Sequence, residues 1–213
     1  GRGRHPGARS LPVVFDTRGR NDAVDDSHRR TGRFRHHRAF PRVTPVDSSE
    51  QTPRRSLIVG YGNPYRHDDG AAFYVVNHIR QAAGLQPLDP DDTGEDETGG
   101  PIDCIMPTGL TLDLVPLVSS CDLVVFVDTH GVVEAEPFRV QPVEEEHRLQ
   151  SVTHHLSPGL LIRLVRDMTG AKPKAFLVSV RGYDFDFGDG LTDACSANVL
   201  CATARILQMI GKG

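Results

Sequence analysis

Gly60-Tyr61-Gly62-Asn63-Pro64-Tyr65-Arg66-His67-Asp68-Asp69-Gly70 is the stretch that decides the fold. A short apolar run, Ser56-Leu57-Ile58-Val59, precedes it, and Ala71-Ala72-Phe73-Tyr74-Val75-Val76-Asn77-His78-Ile79-Arg80 follows. Phe73, Val76, His78 and Ile79 recur at helical rather than alternating spacing. The spacing predicts a strand over 56–60, a tight turn, and a helix over about 69–83 closed by Gly84. Asn63-Pro64 initiates the turn. Asp68 and Asp69 are thereby carried to the carboxyl end of a strand, where open α/β sheets place their sites.

Two readings of this turn compete with a bland one. A dinucleotide fingerprint needs a third glycine three residues after the second. Tyr65 stands there instead, and no glycine follows until Gly70. Two carboxylates would also repel a pyrophosphate at the helix N-terminus. The other reading makes the acidic pair the purpose of the turn. The bland reading has one Asp cap the helix, but one would suffice for that.

The rest of the chain alternates strand and helix. Residues 102–106 predict a second strand, and Leu110 to Val118 a short helix. Leu123-Val124-Val125-Phe126-Val127 is continuously apolar and β-branched, as a strand buried on both faces is. It runs into Asp128-Thr129-His130-Gly131, where Asp128 is placed either for chemistry or to cap the turn. Phe138-Arg139-Val140 predicts a brief edge strand. Ser157-Pro158 reads as N-cap and first residue of a helix ending at Gly170. Residues 175–180 predict the last strand, and Thr192 caps the final helix. Alternation of this kind predicts a three-layer α/β/α sandwich around a largely parallel, twisted sheet.

Composition divides the 213 residues in two. Residues 1–55 hold 13 Arg against 6 acidic residues, with few apolar residues and no period, and predict a disordered Arg/His-rich extension. Its acids are interspersed and it lacks Lys, so no nucleic-acid partner is expected. Residues 56–213 form the domain. Within it, 86–101 is an acidic Gly/Pro-rich loop without an apolar face, expected to be mobile. No apolar run approaches a membrane span, and no apolar segment opens the sequence. Cys104, Cys121, Cys195 and Cys201 are scattered, which suits reduced thiols in the cytoplasm.

The opening stretch resembles the hydrogenase maturation proteases, endopeptidases that trim the C-terminus of the large subunit of nickel-iron hydrogenases. Their motif reads roughly G-x-G-N-x-x-x-x-D-[DE]-G after an apolar strand. Gly60, Gly62, Asn63, Asp68, Asp69 and Gly70 match it without a gap. Val127-Asp128-Thr129 is similar to a second family motif and Thr153-His154 to a third. Arg181-Gly182 through Gly188-Asp189-Gly190-Leu191-Thr192 is similar to a fourth, looser one.

The resemblance implies that Asp69, Asp128 and His154 ligate a divalent metal, either nickel recognised in the substrate or a zinc-like ion. The adjacent His155 stays open from position alone, and the Thr-His pair favours His154. Two carboxylates and an imidazole suit such an ion with positions left for water or substrate. The implied partner is the large-subunit precursor already carrying nickel. Either a metal polarises the scissile carbonyl, or a carboxylate acts as general base. Asp68 is a candidate for a supporting or base role. A non-catalytic nickel-binding chaperone and a nucleotide-binding module are the alternatives.

Overall fold

The protein is described by a computed structural model over residues 55–131, 136–146 and 156–211. The chain divides into units 1–46 and 47–213, and every described residue lies in the second. The extension over 1–54, and His154 and His155, fall outside the described residues.

Five strands make one sheet in the order β2-β1-β3-β5-β4. They are β1 (Ser56–Gly60), β2 (Ile102–Ile105), β3 (Leu123–His130), β4 (Phe138–Pro142) and β5 (Lys174–Arg181). All pairs are parallel except β4 with β5, which is antiparallel at the edge. Four α-helices accompany them: α1 (Ala71–Ala83), α2 (Val115–Ser119), α3 (Pro158–Thr169) and α4 (Asp193–Met209). Residues of alternating parity on each strand supply two cores. Ile58, Val125, Val127 and Val178 pack with α1 and α4 on one face. Leu57, Val59, Val124 and Phe126 pack with α2 and α3 on the other. The three-layer sandwich and its largely parallel sheet are therefore present.

The local signals act where they stand in the chain. Gly84 closes α1 in the left-handed conformation at φ 82°, which its missing Cβ makes cheap. The Ser157 hydroxyl accepts from Leu160 N at 3.1 Å and Pro158 begins α3. The Thr192 hydroxyl accepts from Cys195 N at 3.2 Å at the start of α4.

Three details differ from the sequence reading. The first helical turn, His67–Gly70, is a 3-10 turn that precedes α1. β3 runs on to His130, because Asp128, Thr129 and His130 each pair with β5; Asp128 is thus inside the strand, two residues before its end. Arg55, at the end of the basic segment, belongs to the domain. Its guanidinium donates to Asp103 at 2.9 Å and to Ser120 at 2.6 Å, and its carbonyl accepts from Asp122 and Leu123.

The acidic loop 86–101 is more anchored than its composition suggests. Leu88 is buried, and Asn77 brackets it, accepting from its N–H at 2.7 Å and donating to its carbonyl at 3.1 Å. Arg80, 1% exposed, extends from α1 to donate to the Gln86 carbonyl at 2.6 Å and the Cys104 carbonyl at 3.0 Å. It also pairs with Glu97. Burying a guanidinium is tolerable only when its donors are matched in this way.

Candidate active site

The topology selects one place in the sheet. β1 leads into α1 on one face and on to β2, while the chain leaving β3 goes the other way, through β4 and α3 on the opposite face to β5. Adjacent parallel strands whose connections diverge leave a crevice at their carboxyl ends. β1 and β3 are such a pair.

The turn after β1 is built to place Asp69 there. A Cβ on Gly60 would meet Met106 Sδ at 2.4 Å and Val76 Cγ2 at 2.8 Å, so β1 approaches its covering helix as only glycine permits. Gly62 has φ 139°, and a Cβ there would meet the Asp69 carbonyl oxygen at 2.3 Å. The chain then folds back over Asn63. The Asn63 side chain accepts from Tyr65 N at 2.9 Å, its carbonyl accepts from Arg66 N at 3.1 Å, and its N–H donates to Asp69 Oδ2 at 3.0 Å. Asp69 is thus oriented by the turn it ends, with Oδ1 left without a hydrogen-bond partner among the described residues.

Asp128 comes to the same place from β3. Its side chain alternates onto the α2 and α3 face, with Phe126. Oδ1 accepts from Thr129 N at 2.7 Å, and Oδ2 has no partner among the described residues. Burial pushes its pKa up; the Thr129 N–H lowers it, and the neighbouring Asp69 charge raises it further. Tyr61, which the sequence reading passed over as the variable residue between two glycines, stands beside them. Burial and then the Asp128 charge push its phenol up, so it stays a protonated donor. Tyr61, Asn63 and Asp69 line a cleft of about 550 Å³ with Thr108 and Gly109 after β2 and with Leu156 and Pro158 at the start of α3.

Two of the three expected ligands are therefore near enough for the charge of one to act on the other. The third, His154, lies outside the described residues. Among the described residues no group of three His, Cys, Asp or Glu side chains could hold a metal ion. His130 lies two residues beyond Asp128 on the same strand face but does not complete such a set. Both its ring nitrogens are buried without partners. Burial, then the Arg139 and Arg181 charges, lower its pKa. The chemistry of the acid pair suits a cation. Each carboxylate has one oxygen to spare among the described residues, and the raised pKa of Asp128 comes first from burial and in smaller part from the Asp69 charge, costs that a cation would relieve.

Asp68 is not available as a base, so of the two roles suggested by its proximity only the supporting one remains. It is fully buried. Oδ2 accepts from Tyr183 N at 2.8 Å, Asp184 N at 3.2 Å and the Thr192 hydroxyl at 2.8 Å, and Oδ1 accepts from Thr192 N at 2.7 Å. Burial alone would raise its pKa, but these four bonds outweigh it and hold the carboxyl below the usual range. An acid so saturated is an anchor, and what it anchors is the loop between β5 and α4.

A mostly parallel α/β sandwich with an acid pair at the β1/β3 crevice defines a class of site, and solved structures place the fold more narrowly. The chain is similar to the [NiFe] hydrogenase maturation protease HycI from Thermococcus kodakarensis KOD1, at 19% identity and a TM-score of 0.51. That likeness covers 75% of this chain and 94% of the other. It is also similar to the hydrogenase maturating endopeptidase HybD from E. coli, at 18% identity and a TM-score of 0.52, covering 74% of this chain and 93% of the other. The maturation protease HybD from Thermococcus kodakarensis matches at 17% identity and a TM-score of 0.51, over 73% and 99%. This chain has the fold of the hydrogenase maturation proteases. By sequence, no protein-family model and no curated protein matches it.

Proposed function

We propose that this protein is an endopeptidase that removes a short C-terminal peptide from the nickel-loaded precursor of a nickel-iron hydrogenase large subunit. The observation that carries the reading is the nearness of Asp69 and Asp128 at the β1/β3 crevice of this fold. The motif match from Gly60 to Gly70 supports it independently.

Nickel arrives with the substrate. The spare oxygens of Asp69 and Asp128 offer it hard anionic donors, and the resemblance supplies His154 as the third; a zinc-like ion would suit the same donors. A bound divalent ion supplies Lewis-acid polarisation of the scissile carbonyl. The chain's own groups do the rest. The cleft beside Tyr61 and Asp69 receives the peptide. If the ion instead mainly positions the substrate, a carboxylate of the pair acts as general base toward water. Tyr61, held protonated, donates a hydrogen bond.

Nucleic acid and membrane are not among the expected partners. No helix among the described residues is long and apolar enough to cross a membrane. The four cysteines are free, which supports a reducing, cytoplasmic setting.

Incubating the protein with nickel-loaded precursor and weighing the precursor tests the reading. The expected result is a mass loss equal to a short C-terminal peptide, and no loss from nickel-free precursor. A precursor that is bound but keeps its full mass would overturn cleavage in favour of a nickel-handling chaperone.

A further inference from the structure

The loop from Gly182 to Thr192 is fixed more firmly than its burial requires. Asp68 holds it at Tyr183, Asp184 and Thr192. The Arg66 guanidinium donates to the Phe185 carbonyl at 3.1 and 2.8 Å. Gly188 donates to the Tyr65 carbonyl and accepts from His67 N, both at 3.0 Å. Asp68 N donates to the Asp184 carbonyl at 3.0 Å. Every one of these partners lies on the turn that orients Asp69.

What this framework presents is aromatic and exposed. Phe187 is 82% exposed, Tyr183 47% and Tyr65 45%. A single exposed apolar side chain needs no explanation. Phe187 and Tyr65 do, because Gly188 N donates to the Tyr65 carbonyl and pins the two segments side by side, and rigid aromatics lose little entropy on binding. Arg66 sits 5.3 Å from the Phe187 ring centroid, holding the ring from beneath. Carboxylates accompany Phe187 and Tyr65 as well. Asp186 and Asp189 flank Phe187 in sequence and are exposed, and the Tyr65 hydroxyl donates to Asp91 at 3.0 Å.

We infer that this loop is the docking element for the protein substrate: Phe187, with Tyr65 on the adjoining segment, enters an apolar pocket whose rim is basic. The inference rests on the endopeptidase reading for the identity of the partner, the large-subunit precursor. The acidic collar selects a basic rim by charge complementarity, and the continuous backbone from Tyr65 to Asp69 sets the distance from the docking point to the acid pair.

Binding of nickel-loaded precursor to the immobilised full-length protein, alongside cleavage kinetics, tests this. Phe187→Ala is expected to raise Kd and KM about tenfold or more, as loss of an interface aromatic does. Its kcat and melting temperature are expected to stay at wild-type values, and Phe187→Tyr to retain binding. Raising salt from about 0.05 to about 0.5 M is expected to slow association. Wild-type Kd and KM in Phe187→Ala, or no precursor binding by the wild type, overturns the inference. If the wild type binds but does not cut, and Phe187→Ala binds more weakly, docking stands and the endopeptidase reading alone falls.

Discussion

Asp68 and Asp69 are neighbours of the same type with opposite employment, and the same substitution separates them. Asp69 spends one oxygen on Asn63 N–H and keeps one free. Asp69→Asn preserves that acceptor and the shape, so the fold is expected to melt as wild type while precursor cleavage is abolished. Wild-type cleavage by this variant would make Asp69 a mere helix cap. Asp68→Asn instead turns an NH2 toward N–H donors that now meet an anion. It is expected to cost roughly 2–4 kcal/mol in urea denaturation, the scale for stranding buried donors. The acid limb of stability is expected to shrink with it. A carboxyl whose folded pKa is lowered contributes fully above the ordinary carboxylate range, and its contribution is lost as pH falls through the lowered value.

At the scale of elements, the buried Arg80 decides how loop 86–101 lies. It joins α1 to the loop at Gln86 and Glu97, and to β2 at Cys104. Arg80→Ala strands two carbonyls and opens a cavity, and is expected to cost roughly 3 kcal/mol. Proteolytic nicking within 86–101 is expected to precede global unfolding in that variant; unchanged nicking would mean the loop is held by Leu88 and Asn77 instead. This element also marks where the sequence ceased to be legible. β1, α1 with Gly84, α3 with Ser157-Pro158, and α4 with Thr192 announce themselves through local signals: apolar period, cap and glycine. The placement of Asp69 and Asp128 near the carboxyl ends of β1 and β3 was legible from the apolar runs before them, while a ligand role rests on the family resemblance. The employment of Asp68 was not, because its partners lie 115 to 124 residues away. Nor was the reach of β3 to His130, which depends on a partner strand, or the seat of Leu88, which depends on Asn77 across a turn.

For the whole molecule, the thiols report on the packing of both layers. Cys104, Cys121 and Cys195 are buried and Cys201 is exposed. Burial pushes the Cys104 and Cys195 thiols up to about 12, and raises Cys121 as well. A disulfide reagent is therefore expected to titrate Cys201 alone in the native protein, and all four after denaturation. Fast reaction of a second thiol would mean that one of the cores opens. Removing residues 1–53 is expected to leave the melting temperature unchanged within a few degrees, provided Arg55 is kept for Asp103 and Ser120. A large drop would place the basic segment among the stabilising elements.

The bonds from Asp68 to Thr192 have a temporal side. They join residues 124 positions apart, so the turn carrying Asp69 cannot gain its full set of partners until Thr192 has left the ribosome. Long-range closures of this kind come late, because their loop entropy is offset only when the remaining contacts form together. β1, α1, β2 and β3 can begin to associate while synthesis continues. The crevice that holds the acid pair therefore gains its full support last, and a chain halted before Thr192 carries that crevice without it.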